Sequence, residues 1–555
     1  MKNIAKFLNR AGEDRSVIAI LLLTTLVSAL SLPVNPWPRD FWFQTQYWLF
    51  GTFPGADNYT PIAAPAVFFK MIHLCALALG LDTRGELYLV SLTQNALLFL
   101  TACFVYYSCK LLRIGTTAGV VAFLFLVFVL STGLAQAFWS ENLVLFLFSM
   151  VLYFNLKIYY ERAESARGFW PLAIGSSFLV GILTVTRMTP IFMIPALFFL
   201  FFWRLSYKRL FAYLGLASVI TALLLTGMIA SNELRFGRAE LTNSSGRHLW
   251  QGVTLIIERA LASADSAEYL ELKEINQSLQ GKRFWEIRLP DDDRREYQGE
   301  ELLGRLARDA IRSAPLMYLR MGLMDFVTTV GRAPYRLGFG ERDTHYDPLN
   351  TETPLPAVGE TILPRSAIRS VSGLFRLVFL SSRQLYPVVI FFVLSTYVML
   401  LLQRTRVLPF QPSKQREDLK PGTAAVISFL LLGVPLIGLV IAGARNAVDF
   451  YMTLGLCAIV LILQLQIIRT AAANPEKLKS FRPSSSGVVY TFSGLFFFGS
   501  LWFNWQVEWN NTRNVIPYLP FLSVIFGLAL TYWLRARKQP HEQSGRPSRT
   551  RGSFA

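Results

Sequence analysis

The aromatic stretch PRDFWFQTQYWLFGTFPGADNYTPIAAP, residues 38–65, holds two acids, Asp40 and Asp57, with Arg39 beside the first. Tryptophan and tyrosine suit the boundary between lipid and water, whereas a carboxylate turned toward lipid costs about 3 kcal/mol. On a helix, Asp40, Gln44, Tyr47 and Gly51 recur at spacings of four, three and four and share one narrow polar stripe. Trp42, Phe43, Trp48, Leu49 and Phe50 cover most of the rest, the pattern of a helix lying in the membrane interface. The polar seam must face water or a protein cavity. An apolar setting raises a carboxyl pKa, which suits Asp40 to act as a general base.

Other polar residues interrupt apolar runs. Glu141 stands between Ser140 and Asn142 in AQAFWSENLVLFLF, Arg187 in GILTVTRMTPIFMIP, and Arg513 in EWNNTRNVIPYLPFL. Arg445 and Asp449 read more simply as flanking charges or helix caps. If these ends meet at one rim, arginine forks could hold a phosphate and a carboxylate could activate a hydroxyl. Of the four histidines, only His345 in THYD lies close to an acid within the long polar segment. Asp291, Asp292 and Asp293 read as a solvated run, with a metal contact left open. There is no Walker loop, no GxSxG and no HExxH.

What positions these residues is a set of apolar runs. The chain is 53% hydrophobic and 16% charged, against roughly 25% charged in an average globular protein. Runs of about 18 to 24 apolar residues each suffice to cross a bilayer. The expected fold class is therefore an all-α polytopic membrane protein. About twelve spans are expected, near 16–34, 87–109, 115–137, 141–157, 170–186, 189–203, 210–230, 384–402, 423–442, 450–468, 487–504 and 517–534. Cys75, Cys103, Cys109 and Cys457 all fall in apolar runs without zinc spacing.

With the N-terminus inside, cationic inner loops alternate with short outer loops that hold only scattered cations such as Arg187, Arg445 and Arg513, as the positive-inside rule requires. Both termini are then cytoplasmic in a multi-pass plasma (inner) membrane protein. The net charge of +18 is absorbed by those inner loops and a basic tail, so nucleic acid is not an expected partner. Four parts follow: an N-terminal membrane module over 1–230 carrying the first-loop helix, an outer loop subdomain over 231–383, a C-terminal membrane module over 384–537, and a disordered basic tail over 538–555.

The order of these features resembles the GT-C superfamily of membrane glycosyltransferases, which includes protein mannosyltransferases and lipid A aminoarabinose transferases. An acid follows the first span, then an aromatic helix, then NYTPIAAPAVFFKMIH, similar to the family's proline-containing juxtamembrane helix. LYLVSLTQNALLFL, SENLVLFLF, GILTVTRMTP and NTRNVIPYLPFL resemble its later segments in the same order. The resemblance implies transfer of a sugar from a polyprenyl-phosphate donor to an acceptor hydroxyl on a lipid, glycan or protein. It implies Asp40 as base, Glu141 as a second or positioning acid, Asp57 as a substrate contact, and Arg187, Lys70 and Arg513 as contacts to donor phosphate or acceptor charge. Asp40 and Asp57 are too far apart for a DxD pair, so a divalent cation, Mg or Mn, stays open as a cofactor. A lipid or solute transporter or flippase, and a non-enzymatic membrane assembly protein, are the competing readings.

Overall fold

The computed structural model describes residues 2–32, 34, 63–112, 114, 119–120, 141–162, 166–186, 193–202, 204–236, 239, 249, 304, 307–322, 355–361, 363–404, 451, 454–460, 462–463, 466 and 518–538. The named elements are helices, with no strand among the described residues. Five of them are long and apolar enough to cross a membrane, at Asp14–Ser31, Thr83–Leu111, Glu141–Glu161, Gly168–Thr186 and Tyr207–Ser231. Val67–Ala78, Tyr386–Thr396 and Leu519–Thr531 are shorter apolar helices. The spans expected at 423–442 and 487–504, all but residues 119–120 of 115–137, and part of 450–468 lie outside the described residues.

Helix α1 (Lys2–Ser31) bonds three hydroxyls of its apolar segment to its own backbone. Thr24, Thr25 and Ser31 donate their hydroxyls to the carbonyls of Ile20, Leu21 and Val27, four residues back. A hydroxyl satisfied in this way can sit in an apolar environment without a solvent partner. Near the start of the apolar segment Asp14 accepts from Tyr106 at 2.9 Å and pairs with Lys110, both close to the end of α3 (Thr83–Leu111). Helices α1 and α3 are therefore antiparallel.

Between them in sequence lies α2 (Ala63–Ala78), roughly 24 Å long and too short to cross about 30 Å of hydrocarbon. Its buried residues Phe69, Ile72 and Ala76 recur at helical spacing, and Phe69 and Ile72 cluster with Leu87 and Val90 of α3. Val67, Met71, Leu74 and Leu77 form the opposite, exposed face. Both faces are apolar, which is the composition of a helix wedged between protein and lipid.

Helix α4 (Glu141–Lys157) runs parallel to α3: Asn142 meets Gln94, Phe146 meets Phe104 and Tyr153 meets Tyr107, in the same order on both. Next, α5 (Ala166–Thr186) returns antiparallel, with Ser176 against Asn155 and Gly175 against Phe154. After the short α6 (Met193–Phe201), α7 (Tyr207–Phe236) lies parallel to α5. A Cβ at Gly181 would meet Leu224 Cδ1 at 2.8 Å and Ile220 Cγ2 at 3.2 Å, so glycine spares those side chains a shift where α5 packs on α7.

Three helices are locked by one buried polar cluster. Asn155 donates to Ser176 Oγ at 2.8 Å, Tyr213 donates to Asn155 Oδ1 at 2.7 Å, and Tyr213 OH and Ser176 Oγ share a bond of 2.8 Å. In the C-terminal half, α8 (Arg365–Arg404) and α9 (Leu519–Lys538) run side by side in the same direction, joined by Trp533 Nε1 donating to Thr396 at 2.8 Å. Tyr518 and Phe521 stack on Phe148 of α4, so both halves share one core.

Helix α8 begins at Arg365, inside the stretch read from sequence as outer loop, and α7 continues to Phe236. The 40 residues of α8 extend about 60 Å, so its arginine-rich first half continues past the apolar part. The loop's last residues are fixed to the bundle: Leu355 and Val34 exchange backbone bonds of 3.1 and 2.8 Å, and Tyr88 of α3 donates to the Pro356 carbonyl at 3.1 Å.

Candidate functional site

Four residues, Leu79 to Asp82, turn α2 back onto α3. Gly80 adopts φ +63°, a left-handed conformation that only glycine takes without strain. Its N–H bonds the Leu77 carbonyl and the Leu81 N–H bonds the Ala76 carbonyl, both at 3.0 Å. This paired closure satisfies carbonyls that the helix end would leave open. Asp82 then caps α3, its side chain accepting from the Gly85 N–H at 2.7 Å.

The corner has a chemical consequence. It brings His73, two turns before the bend, against Glu86 in the first turn after it. His73 Nδ1 and Glu86 Oε1 lie 2.7 Å apart, with 18% and 12% of the two side chains exposed. The carboxylate sits in the first turn of α3, where the helix dipole favours negative charge. Among the described residues the imidazole makes no other hydrogen bond, so Nε2 remains open. Lys70 is half-buried on α2, one turn before His73.

Glu141 is fully buried at the start of α4. Its neighbour Asn142 donates to Gln94 Oε1 at 2.8 Å, and both of those side chains are buried. Gln94 lies about 12 Å along α3 from Glu86, so the Glu141 level is two turns below the His73–Glu86 pair. A carboxylate so enclosed is tolerated only with polar company.

The helix directions gather these groups at one end. The first turns of α3 and α4 share that end with the last turns of α1 and α5, and α2 also touches α5. Lys70 and Glu141 are thus placed by the described helices, about one helical turn apart in depth. Asp40, Asp57, Arg187 and Arg513 lie outside the described residues. In sequence, however, Asp40 and Asp57 belong to the connection between α1 and α2, Arg187 directly follows Thr186, and Arg513 precedes α9 by a few residues.

His73 and Glu86 escape the sequence reading because the pairing is a product of the corner. The expected span begins at 87, leaving Glu86 as a mere flanking charge, whereas α3 begins at Thr83. The available signal is the run LGLDTRGE: a glycine stop followed directly by an aspartate cap. Among the described residues, no three His, Cys, Asp or Glu side chains gather as a metal-binding group.

The class that these observations define is a helical membrane protein, several of whose helices can cross a bilayer, with Lys70, His73, Glu86 and Glu141 toward one end of the bundle and Asp14 and Lys110 toward the other. No family model matches the chain, and no curated protein or solved structure matches it either.

Proposed function

We propose that the chain is a GT-C-like glycosyltransferase, moving a sugar from a polyprenyl phosphate to an acceptor hydroxyl at the outer face of the plasma membrane. On this reading the chain crosses the membrane about twelve times with both termini cytoplasmic. The end of the bundle holding Lys70 and Glu141 faces outward, beneath the loop subdomain. Cations at Lys70, Arg187 and Arg513 would meet the donor phosphate, and the acids Asp40, Asp57 and Glu141 the sugar and acceptor.

The observation that carries the reading is the convergence at one end. Buried Glu141, Lys70 on a helix too short to span, and the His73–Glu86 pair all lie where the chain enters the segments bearing the other candidates. A permeation route would instead be expected to thread ionisable groups toward mid-helix. The buried side chains deeper in the described bundle, such as Asn155, Ser176 and Tyr213, are neutral and bonded to one another.

The test is transfer itself. Membranes with and without the chain are incubated with radiolabelled polyprenyl-phosphate sugars, with Mg or Mn added or chelated. Chain-dependent movement of label into a lipid, glycan or protein fraction is the expected result. Label that never leaves the donor, across a panel of sugars and with either metal, overturns the reading.

A further inference from the structure

We propose that His73 and Glu86 are the proton-accepting pair of this site, with His73 Nε2 taking the acceptor's proton and Glu86 holding the ring. The proposal rests on the transferase reading above and deepens it, because it moves the base from Asp40 to a pair whose geometry is defined.

The arrangement fits the task atom by atom. Glu86 accepts the Nδ1 proton at 2.7 Å, which leaves the Nε2 lone pair as the basic position. Nε2 is also the ring atom without a partner among the described residues. The pair is partly screened from solvent, and both groups come from rigid helices joined by a fixed corner. That is how a base and its orienting carboxylate are usually held.

The alternative is a clip joining α2 to α3. Phe69, Ile72, Leu87 and Val90 already join them by apolar packing. Replacing both partners of a part-buried hydrogen bond by apolar side chains can be nearly neutral or stabilising, so a clip alone gives no reason for this pair.

In the transfer step, the acceptor oxygen forms its bond to the sugar's C1 as its O–H bond breaks. The proton passes to Nε2. The bond from C1 to the phosphate oxygen breaks, and its electron pair leaves with the polyprenyl phosphate. The imidazolium so formed lies against the Glu86 carboxylate and then releases its proton to water at the rim. Asp40 is left for the sugar side, where a carboxylate can face the positive charge developing at C1.

The test uses the full chain in nanodiscs at matched folded amounts. His73→Gln should lower kcat by about 10²–10⁴-fold with the donor's KM little changed. Glu86→Gln should cost about 10–100-fold, as expected for a group that orients another. Added to His73→Gln it should cost nothing further, because residues acting as a unit are not additive. Free imidazole should restore part of the turnover of His73→Ala, and none to Asp40→Asn. Parent-like kcat in His73→Gln overturns the pair. So does a loss that imidazole leaves untouched and that follows a lowered melting temperature. A parent that transfers nothing from any donor is a different failure: it removes the transferase reading, and this proposal with it.

Discussion

Asn142 donates to Gln94 at 2.8 Å across two helices, α3 and α4, that run in the same direction. The bond is sealed from solvent, one residue from Glu141 and two turns below Glu86. It ties the level of a buried acid to the helix that carries the exposed corner. Together with Phe146 on Phe104 and Tyr153 on Tyr107, the contact defines the relative direction of both helices, and through them the end of the bundle that holds Lys70 and Glu141.

The first prediction concerns that bond. Asn142→Leu keeps the volume but leaves the Gln94 side chain with neither amide group matched. Hydrogen bonds between membrane helices average about 0.6 kcal/mol and reach about 1.7 kcal/mol. A buried amide stripped of its partner belongs at the upper part of that range. Thermal unfolding of the detergent-solubilised protein should show a lower midpoint for Asn142→Leu and a smaller drop for Asn142→Gln. Equal midpoints for parent and leucine variant would remove any energetic role from the contact.

A second prediction addresses the corner. Gly80 at φ +63° has open space around its missing Cβ, so an alanine there meets no clash and only backbone strain. That strain costs roughly 1–2 kcal/mol. Asparagine tolerates the conformation better, so Gly80→Asn should lie between Gly80→Ala and the parent in thermal stability. If the corner aligns His73 with Glu86, Gly80→Ala should also lower turnover at temperatures where the protein is still folded. Unchanged turnover would mean that the pair is aligned by packing alone.

How much of this was legible depends on what kind of signal each residue leaves. The bounds of α4, Glu141–Lys157, coincide with the run expected from hydropathy, because a polar SEN start and a lysine end are local marks. Helix α8 was read as starting at 384, since the arginines between Arg365 and Arg383 lower the hydropathy of a segment that is nonetheless helical. Gln94 and Asn142 were visible as polar interruptions, but their contact spans 48 residues and depends on helix direction. His73 and Glu86 carry no signal in common until Gly80 and Asp82 are read as a helix stop and a helix start. Periodicity shows which face a residue occupies; it does not show which residue stands opposite.

Sidedness provides the third prediction. In a background with Cys75, Cys103, Cys109 and Cys457 replaced, single cysteines at positions 300, 415 and 545 are treated with a membrane-impermeant maleimide in intact cells. Position 300 should react from outside, and 415 and 545 only after lysis. Leu363, which lies beyond the Leu355–Val34 bridge and is exposed, should label with position 300 if the bundle end bearing His73 faces out. Protection of 300 and 363 together would invert the bundle and place the candidate site in the cytoplasm.

The last prediction separates the acids. Asp40→Asn preserves size and removes only charge, so insertion and folding should survive it. If a carboxylate at Asp40 faces the positive charge developing at C1, its loss should lower turnover by about 10²–10³-fold, the scale of removing one electrostatic stabiliser. Binding of sugar-free polyprenyl phosphate, read by thermal stabilisation, should be unaffected. Glu141→Gln acts on an acid that is fully buried at the start of α4. Glutamine can keep hydrogen bonds there without a charge, so it should alter the donor's KM more than kcat if Glu141 positions the sugar. Asp57→Asn should cost least of the three, since the sequence around it is rich in polar and small residues. A dead Glu141→Gln beside a parent-like Asp40→Asn would shift the chemistry from the first loop to the buried level of Gln94 and Asn142. Parent-like turnover in all three would leave His73 and Glu86 as the ionisable groups to carry the reaction.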